Sequence, residues 1–323
     1  MDEPSVTVII LSCDRPDWLR LSLASALDQR VTALVLVSDD SNSDEVRAIA
    51  TDADDRVTYR RGPRQGQLAN LVSAIPFVTT RWTIVLHDDD LLDSQCVERL
   101  LRAAGDVDRP CRIVTADSSC INAEGEPIRS YSSANEHRAT RFQSGINRLS
   151  FDARCHELLV EGVVSPFLAT LLPTSVLQAW RPDPRVGSVL DLSLLVTLAH
   201  EVELIIYQPF DLVRYRVHSN SVASGFADLE PLLYVIDSIL EDATFRSVWP
   251  ALLHRRRDAV ARQSRVWVAA GRWRDARALL IGRRAELSPG FLGPSLLLTL
   301  PILRSAYGRR IRRANLRFGV ATH

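Results

Sequence analysis

Lysine is absent from this chain of 323 residues, so its 39 basic side chains other than histidine are all arginine. That absence excludes chemistry needing a primary side-chain amine, such as a Schiff base or the lysine of a P-loop. The arginine bias fits a GC-rich genome better than a chemical demand. Cysteine is scarce, with Cys13, Cys96, Cys111, Cys120 and Cys155 forming no C-x-x-C pair. An odd set so spaced argues against a disulfide framework or a zinc site and fits a reducing compartment. No apolar run reaches the roughly 18 to 20 residues of a membrane span. Residues 291–303 come nearest and are interrupted by Gly293, Pro294 and Pro301. The apolar run at 6–11 is too short for a signal peptide and follows acidic residues. A cytoplasmic protein is expected. Net charge is missing too, because 39 acidic residues balance the 39 basic ones. No global field therefore favours nucleic acid.

What is present is the composition of a soluble globular protein, 46% hydrophobic and 24% charged. The length suits one large domain, or a large one followed by a smaller one. Acidic residues crowd the first third and arginines the C-terminal part.

The most informative stretch is Thr83-Ile84-Val85-Leu86-His87-Asp88-Asp89-Asp90. A short apolar, β-branched run predicts a buried strand, and three carboxylates stand at its C-terminal end. Ligands of open α/β sheets bind at that edge. Adjacent negative charges repel unless a cation or water offsets them, and clustered oxygens suit Mg²⁺ or Mn²⁺ bridging to a phosphate. A solvated acidic turn, with Asp93 and Ser94 as N-caps of the following helix, would use the same residues.

Around this stretch the chain alternates. Strands are predicted at 6–11, 34–37 and 57–59. Helices follow through Trp18 to Leu27, with Pro16 in the first turn, and through Leu68 to Ile75. The pattern β-α-β-α-β-α-β predicts a doubly wound, mixed but mostly parallel sheet. Further on, a strand is expected from Arg112 to Asp117, then a hairpin loop at 120–129 containing Gly125. Residues 130–160 are polar and unpatterned, and read as a flap near an acceptor. Strands at 203–207 and 212–217 follow a helix at 192–200. From 226 on the chain reads as helical: 229–240, then 251–270 and 273–287 joined at Gly271 as one helical hairpin. A last apolar helix at 293–307 precedes Arg309, Arg310, Arg312, Arg313 and Arg317. That tail suits packing on the domain, a homodimer contact, or a peripheral contact with anionic lipid at the inner membrane face.

Several pieces, in this order, resemble the inverting glycosyltransferases of family 2, which have the A-type Rossmann-like fold. Residues 8–11 through Asp14-Arg15-Pro16 resemble the family's first strand and N-R-P turn, with Asp14 for Asn. Residues 37–44, Val-Ser-Asp-Asp-Ser-Asn-Ser-Asp, resemble its D-D-G-S-x-D element. Gly62-Pro63 with Asn70 resembles its G-x-x-x-x-R-N loop and helix, with Ala69 for Arg. Leu86-His87-Asp88-Asp89-Asp90 resembles L-D-x-D-D, with His87 for the first Asp. Leu190-Asp191 stands where the family has Glu-Asp opening a helix, and Tyr215-Arg216-Val217-His218 resembles its Y-R-x-H segment. The likeness spans about residues 5–225, which implies a catalytic domain over 1–225 and a helical region over 226–323.

The resemblance implies a metal-dependent inverting transfer from a nucleoside-diphosphate sugar to an acceptor hydroxyl. The acceptor would be a glycan, a lipid-linked saccharide or a small molecule, as in polysaccharide biosynthesis. Ser12, Asp14, Arg15, Asp39, Asp40, Arg64, Asn70, Asp88 and Arg216 would contact the donor. Asp89, Asp90 and His218 would hold Mn²⁺ or Mg²⁺, and Asp191 would be the general base, its basicity raised by burial among Val189, Leu190 and Leu192. A plain helix start is the alternative for Asp191. Two other functions remain: a sugar nucleotidyltransferase, although Ser12 to Pro16 lacks the glycine-rich loop, and a degenerate binding module, given His87, Ala69 and Leu190.

Overall fold

Alternating apolar and amphipathic runs lay out the first ninety residues. A computed structural model describes residues 4–105, 111–128, 132–218 and 228–282. The chain divides into two units, Met1–Val217 and His218–His323.

In the first unit, β1 (Val6–Ser12), β2 (Leu34–Asp39), β3 (Val57–Arg61) and β4 (Trp82–His87) are parallel neighbours in the order β3-β2-β1-β4. Helices α1 (Pro16–Leu27), α2 (Glu45–Thr51) and α3 (Gln67–Ala74) connect them, and α1 starts at Pro16 as the sequence predicts. All seven residues of β1 are buried, as a central strand covered on both faces requires. Alternate positions point one way, so Val8, Ile10, Val35, Val37, Ile84 and Leu86 share a core with Leu19, Leu23 and Val46. Each such side chain contributes about 1.5–3 kcal/mol by leaving water.

The chain continues through β5 (Leu91–Leu92), α4 (Cys96–Ala104), β6 (Arg112–Ile121), β7 (Pro127–Ile128), α5 (Ser132–Arg141), β8 (Gly145–Arg148) and α6 (Phe151–Cys155). It then forms β9 (Thr170–Pro173), α7 (Thr174–Ala179), α8 (Leu190–Glu201) and β10 (Leu204–Arg216). The path runs β3-β2-β1-β4-β9-β6-β10-β5, with β9 antiparallel to β4 and β6, and β10 parallel to β6. This is the mixed, mostly parallel sheet expected.

Two expectations need correction. Residues 130–160 are not one patternless flap: within them α5, β8 and α6 form. The polarity that hides α5 is what anchors it. Arg138 donates to the Val163 carbonyl (2.8 Å) and to Asp117 (3.0 Å), while the Asn135 amide donates to the Ser118 carbonyl (2.9 Å). The two strands expected at 203–217 are one, β10, whose register against β6 shifts between Gln208 and Val213.

The second unit holds α9 (Glu230–Glu241), α10 (Trp249–Ala269) and α11 (Trp273–Gly282). Leu233, Val260, Trp267 and Ala276 belong to its core. Gly271 turns the chain between α10 and α11 at φ +78, a left-handed backbone angle that glycine adopts without strain. The apolar helix and arginine run expected after residue 290 lie outside the described residues. Among the described residues no helix is long and apolar enough to cross a membrane.

Candidate functional site

Parallel pairing sets the site. Ser12 lies opposite Asp39 and Leu11 opposite His87, so β1, β2 and β4 end together and their acidic turns share one edge of the sheet.

Most of these carboxylates are occupied by the protein itself. Asp88 accepts through Oδ2 from the Ser12 hydroxyl (2.9 Å) and the Cys13 amide (3.0 Å); its buried Oδ1 has no hydrogen-bond partner and lies 3.2 Å from the Arg15 guanidinium. Burial raises its carboxyl to about 7 against the pull of Arg15. Asp39 accepts from the Ser41 amide (2.8 Å), the Tyr59 hydroxyl (2.8 Å) and Arg61 (3.0 Å). Asp40 accepts from the amides of Arg64 (2.8 Å) and Gly66 (2.9 Å), fixing the loop before α3. Asn70 reads both groups of Ser38, accepting from its hydroxyl (2.6 Å) and donating to its carbonyl (2.9 Å). A Cβ at Gly62 would collide with the side-chain oxygens of Asp40 and Asn70, so this approach of the loop demands glycine. Asp14, at φ +53, accepts from the Asn42 amide (2.9 Å), and the side chain of Arg64 is exposed.

The end of β4 is different. Arg15 donates to Asp89 at 2.6 Å. Asp90 is 1% exposed; one oxygen accepts from the Arg216 amide (2.8 Å), while Oδ2 has no hydrogen-bond partner. Burial, then Asp89, push the Asp90 carboxyl well above the usual range. His87 Nδ1 lies 3.9 Å from that Oδ2, too far for a hydrogen bond. Burial lowers the pKa of the imidazole, which keeps it neutral. His87, Asp89 and Asp90 each present a ligand atom within 4.8 Å of the others. A buried oxygen without a donor, a second carboxylate and a neutral imidazole are a donor set that fits a divalent cation.

Arg216 is spent inside the protein. Its guanidinium donates to the carbonyls of Asp89 (2.8 Å), Asn122 (3.0 Å) and Ala123 (3.0 Å). It therefore holds the Asp89–Asp90 turn in shape. Arg15 and Arg216 also flank the Trp18 ring, at 5.7 and 5.6 Å from its centre. Of the residues expected to hold the metal, Asp89 and Asp90 fall in this group, and His218 begins the second unit.

Asp191 lies in the first turn of α8, whose N-cap is Val189. The expected burial is corrected: Leu190 and Leu192 are buried, and Asp191 between them is exposed. One of its oxygens accepts from the Leu192 amide at 2.8 Å. Its charge nevertheless reaches His87, raising the imidazole's proton affinity.

Sequence reasoning passed over two partners. His87 stood only as a departure from the family pattern, and Gln67, whose side chain meets the His87 ring at 2.5 Å, gave no signal. Spacing alone could have found His87, which with Asp89 and Asp90 forms an H-x-D-D group.

Residues 7–151 match the profile of glycosyl transferase family 2. No curated protein matches the chain in sequence. In fold, the chain is similar to S. aureus TarS (13% identity, TM-score 0.56), covering 97% of this chain but 54% of that one, about half its length. The TarS 1–349 fragment in complex with UDP-GlcNAc gives a TM-score of 0.57 at 13% identity, with 99% and 93% covered. The mannosyltransferase PcManGT from Pyrobaculum calidifontis, in complex with GDP-Man and Mn²⁺, gives 0.55 at 16% identity, with 98% and 88% covered. Strand ends rich in carboxylates, their order along the chain and the profile agree: residues 7–151 match glycosyl transferase family 2, and the sheet that runs from β1 to β10 has the A-type fold.

Proposed function

We propose that the chain transfers a sugar from a nucleoside diphosphate to an acceptor hydroxyl, with inversion at the anomeric carbon and with help from a divalent cation. One observation carries this reading: an imidazole and an unpartnered buried carboxylate oxygen stand together at the ligand-binding edge of the sheet. His87, Asp89 and Asp90 would hold the cation, which supplies Lewis-acid stabilisation of a leaving diphosphate when bound.

The chain's own residues do the rest. Arg15, a third exposed beside Asp89, adds positive charge at the same edge. The turns pinned by Asp39, Asp40 and Asp14 shape the place for the nucleoside. Asp191, placed in the first turn of α8 and held by the Leu192 amide, takes the acceptor's proton on its carboxylate. Attack from the side opposite the leaving group then inverts the centre. Exposure of Asp191 leaves it reachable by an acceptor as large as a glycan or a lipid-linked saccharide.

The test is a panel of UDP- and GDP-sugars with and without Mn²⁺, read by melting temperature and by release of nucleoside diphosphate. A stabilisation that needs both ligand and metal, with turnover to diphosphate, supports the proposal. Release of pyrophosphate from a sugar phosphate and a nucleoside triphosphate would make the protein a nucleotidyltransferase. Binding without turnover for any donor and acceptor would make it a binding module.

A further inference from the structure

The family pattern puts an aspartate where this chain has His87, and the structure gives that histidine a specific setting. Its ring is three-quarters buried, with Nδ1 towards Asp90 Oδ2 at 3.9 Å and Nε2 against the Gln67 amide at 2.5 Å. Asp90 Oδ2 is buried and has no hydrogen-bond partner. Two atoms each about 2.1 Å from one ion can stand up to about 4.2 Å apart, and 3.9 Å lies within that span.

Gln67 decides which ring nitrogen is available. The oxygen and nitrogen of an amide side chain are interchangeable by a flip. The structure places the Gln67 amide nitrogen against Nε2; turned so that Oε1 faces the ring, Gln67 accepts the Nε2 proton and leaves the Nδ1 lone pair facing Asp90. Histidine ligands of metals are commonly held by such an outer partner, which fixes the tautomer and raises ligand basicity. Gln67 sits at the first position of α3, behind a loop pinned by Asp40 through the Arg64 and Gly66 amides. Its position is therefore built in.

We infer that His87, held by Gln67, is a nitrogen ligand that makes the cation site select Mn²⁺ and later transition ions over Mg²⁺. The inference rests on the metal-dependent reading above. Mg²⁺ demands oxygen ligands and dehydrates reluctantly, whereas imidazole gains affinity along the series from Mn²⁺ to Cu²⁺. An all-carboxylate version of the site would lack this bias.

The experiment uses the full chain labelled with ¹⁵N-histidine, titrated calorimetrically with Mn²⁺ alone and Mg²⁺ alone, then with UDP or GDP added. Pulsed electron paramagnetic resonance of the bound Mn²⁺ reads directly coordinated nitrogen. The expected result is a histidine nitrogen coupling and tighter binding of Mn²⁺ than of Mg²⁺. His87→Asp, which restores the family's carboxylate, abolishes the coupling and removes about tenfold of the preference for Mn²⁺. Gln67→Leu keeps every ligand and weakens Mn²⁺ by about tenfold. His87→Asn serves as a second variant if the aspartate disturbs folding. Mn²⁺ bound without nitrogen coupling, or a coupling that survives His87→Asp and vanishes in His218→Ala, overturns the inference and leaves the metal reading standing. Failure to bind Mn²⁺ with or without nucleotide overturns the metal reading itself.

Discussion

Two sets of polar groups meet at one edge of the sheet, and they are satisfied to different degrees. Asp39, Asp40 and Asp88 each accept at least one backbone amide, from Ser41, from Arg64 and Gly66, and from Cys13. Asp39 and Asp40 fix turns with theirs, while the Asp88 oxygen that lacks a hydrogen bond faces the Arg15 guanidinium at 3.2 Å. Asp90 too accepts an amide, from Arg216, but its second oxygen is buried without a donor, 3.9 Å from the ring of His87. No arginine ion pair such as Asp88 has reaches it among the described residues. Leaving that oxygen unmatched costs about 1–3 kcal/mol, a cost that a folded protein otherwise avoids. The contrast separates carboxylates that build the site from groups that await something in it.

The largest effect should fall at Asp191. Replacing its carboxylate by an amide removes the proton acceptor but keeps an oxygen for the Leu192 amide. Asp191→Asn is expected to slow transfer about 10²- to 10⁴-fold, or roughly 3–5 kcal/mol of barrier, with melting temperature unchanged. Steady-state transfer rates beside a thermal melt check this. A rate within threefold of the parent would return Asp191 to the role of a helix start.

Next comes a member of the satisfied set. Asp40→Ala orphans two amides and frees the loop before α3, with an expected loss of about 2–4 kcal/mol. In a unit of this size that lowers the melting temperature by roughly 5–15 °C. An unchanged melt would mean that Asp40 is held for a ligand and not for the fold, and the two sets would merge.

Much of this architecture was legible in the sequence, because β1, β2 and β4 are apolar runs bounded by turn residues. The acidic edge was legible too, since strand ends of a parallel sheet coincide. Which acids build and which bind was not. That depends on donors such as Cys13, Arg64 and Gly66, which are 24 to 75 residues from the carboxylates they serve. Arg216 looked like a partner for phosphate because a charge in a motif suggests a ligand, yet carbonyls of the Asp89 and Asn122 turns claim it. The helix α5 escaped notice for the complementary reason. It docks through Asn135 and Arg138 on the middle of β6 and on the Val163 carbonyl, so polar side chains and not an apolar stripe hold it.

A smaller effect, of opposite kind, is expected at Asp90. Asp90→Asn retains an oxygen for the Arg216 amide and replaces only the unpartnered atom. Stability in the absence of metal should hold, while the gain from saturating Mn²⁺ should disappear. That gain is about 2.7 kcal/mol at a hundredfold excess over Kd. Melts with and without Mn²⁺ measure both quantities. A drop in the metal-free melt would place Asp90 among the builders.

The smallest effect is expected at Cys13, and it sharpens the contrast by separating backbone from side chain. Cys13 gives Asp88 its amide hydrogen at 3.0 Å, whereas its exposed sulfur makes only long contacts, 3.8 Å to the Asp40 carbonyl and 3.9 Å to Asp14. Cys13→Ala keeps the amide and should shift stability by no more than about 0.5 kcal/mol. A melting temperature within about 2 °C of the parent is the outcome to look for. A larger loss would mean that the thiol, and not the turn's N–H, is what the Asp88 carboxylate depends on. The β1 turn would then be specified by its side chains and not by the backbone donor that Cys13 offers Asp88.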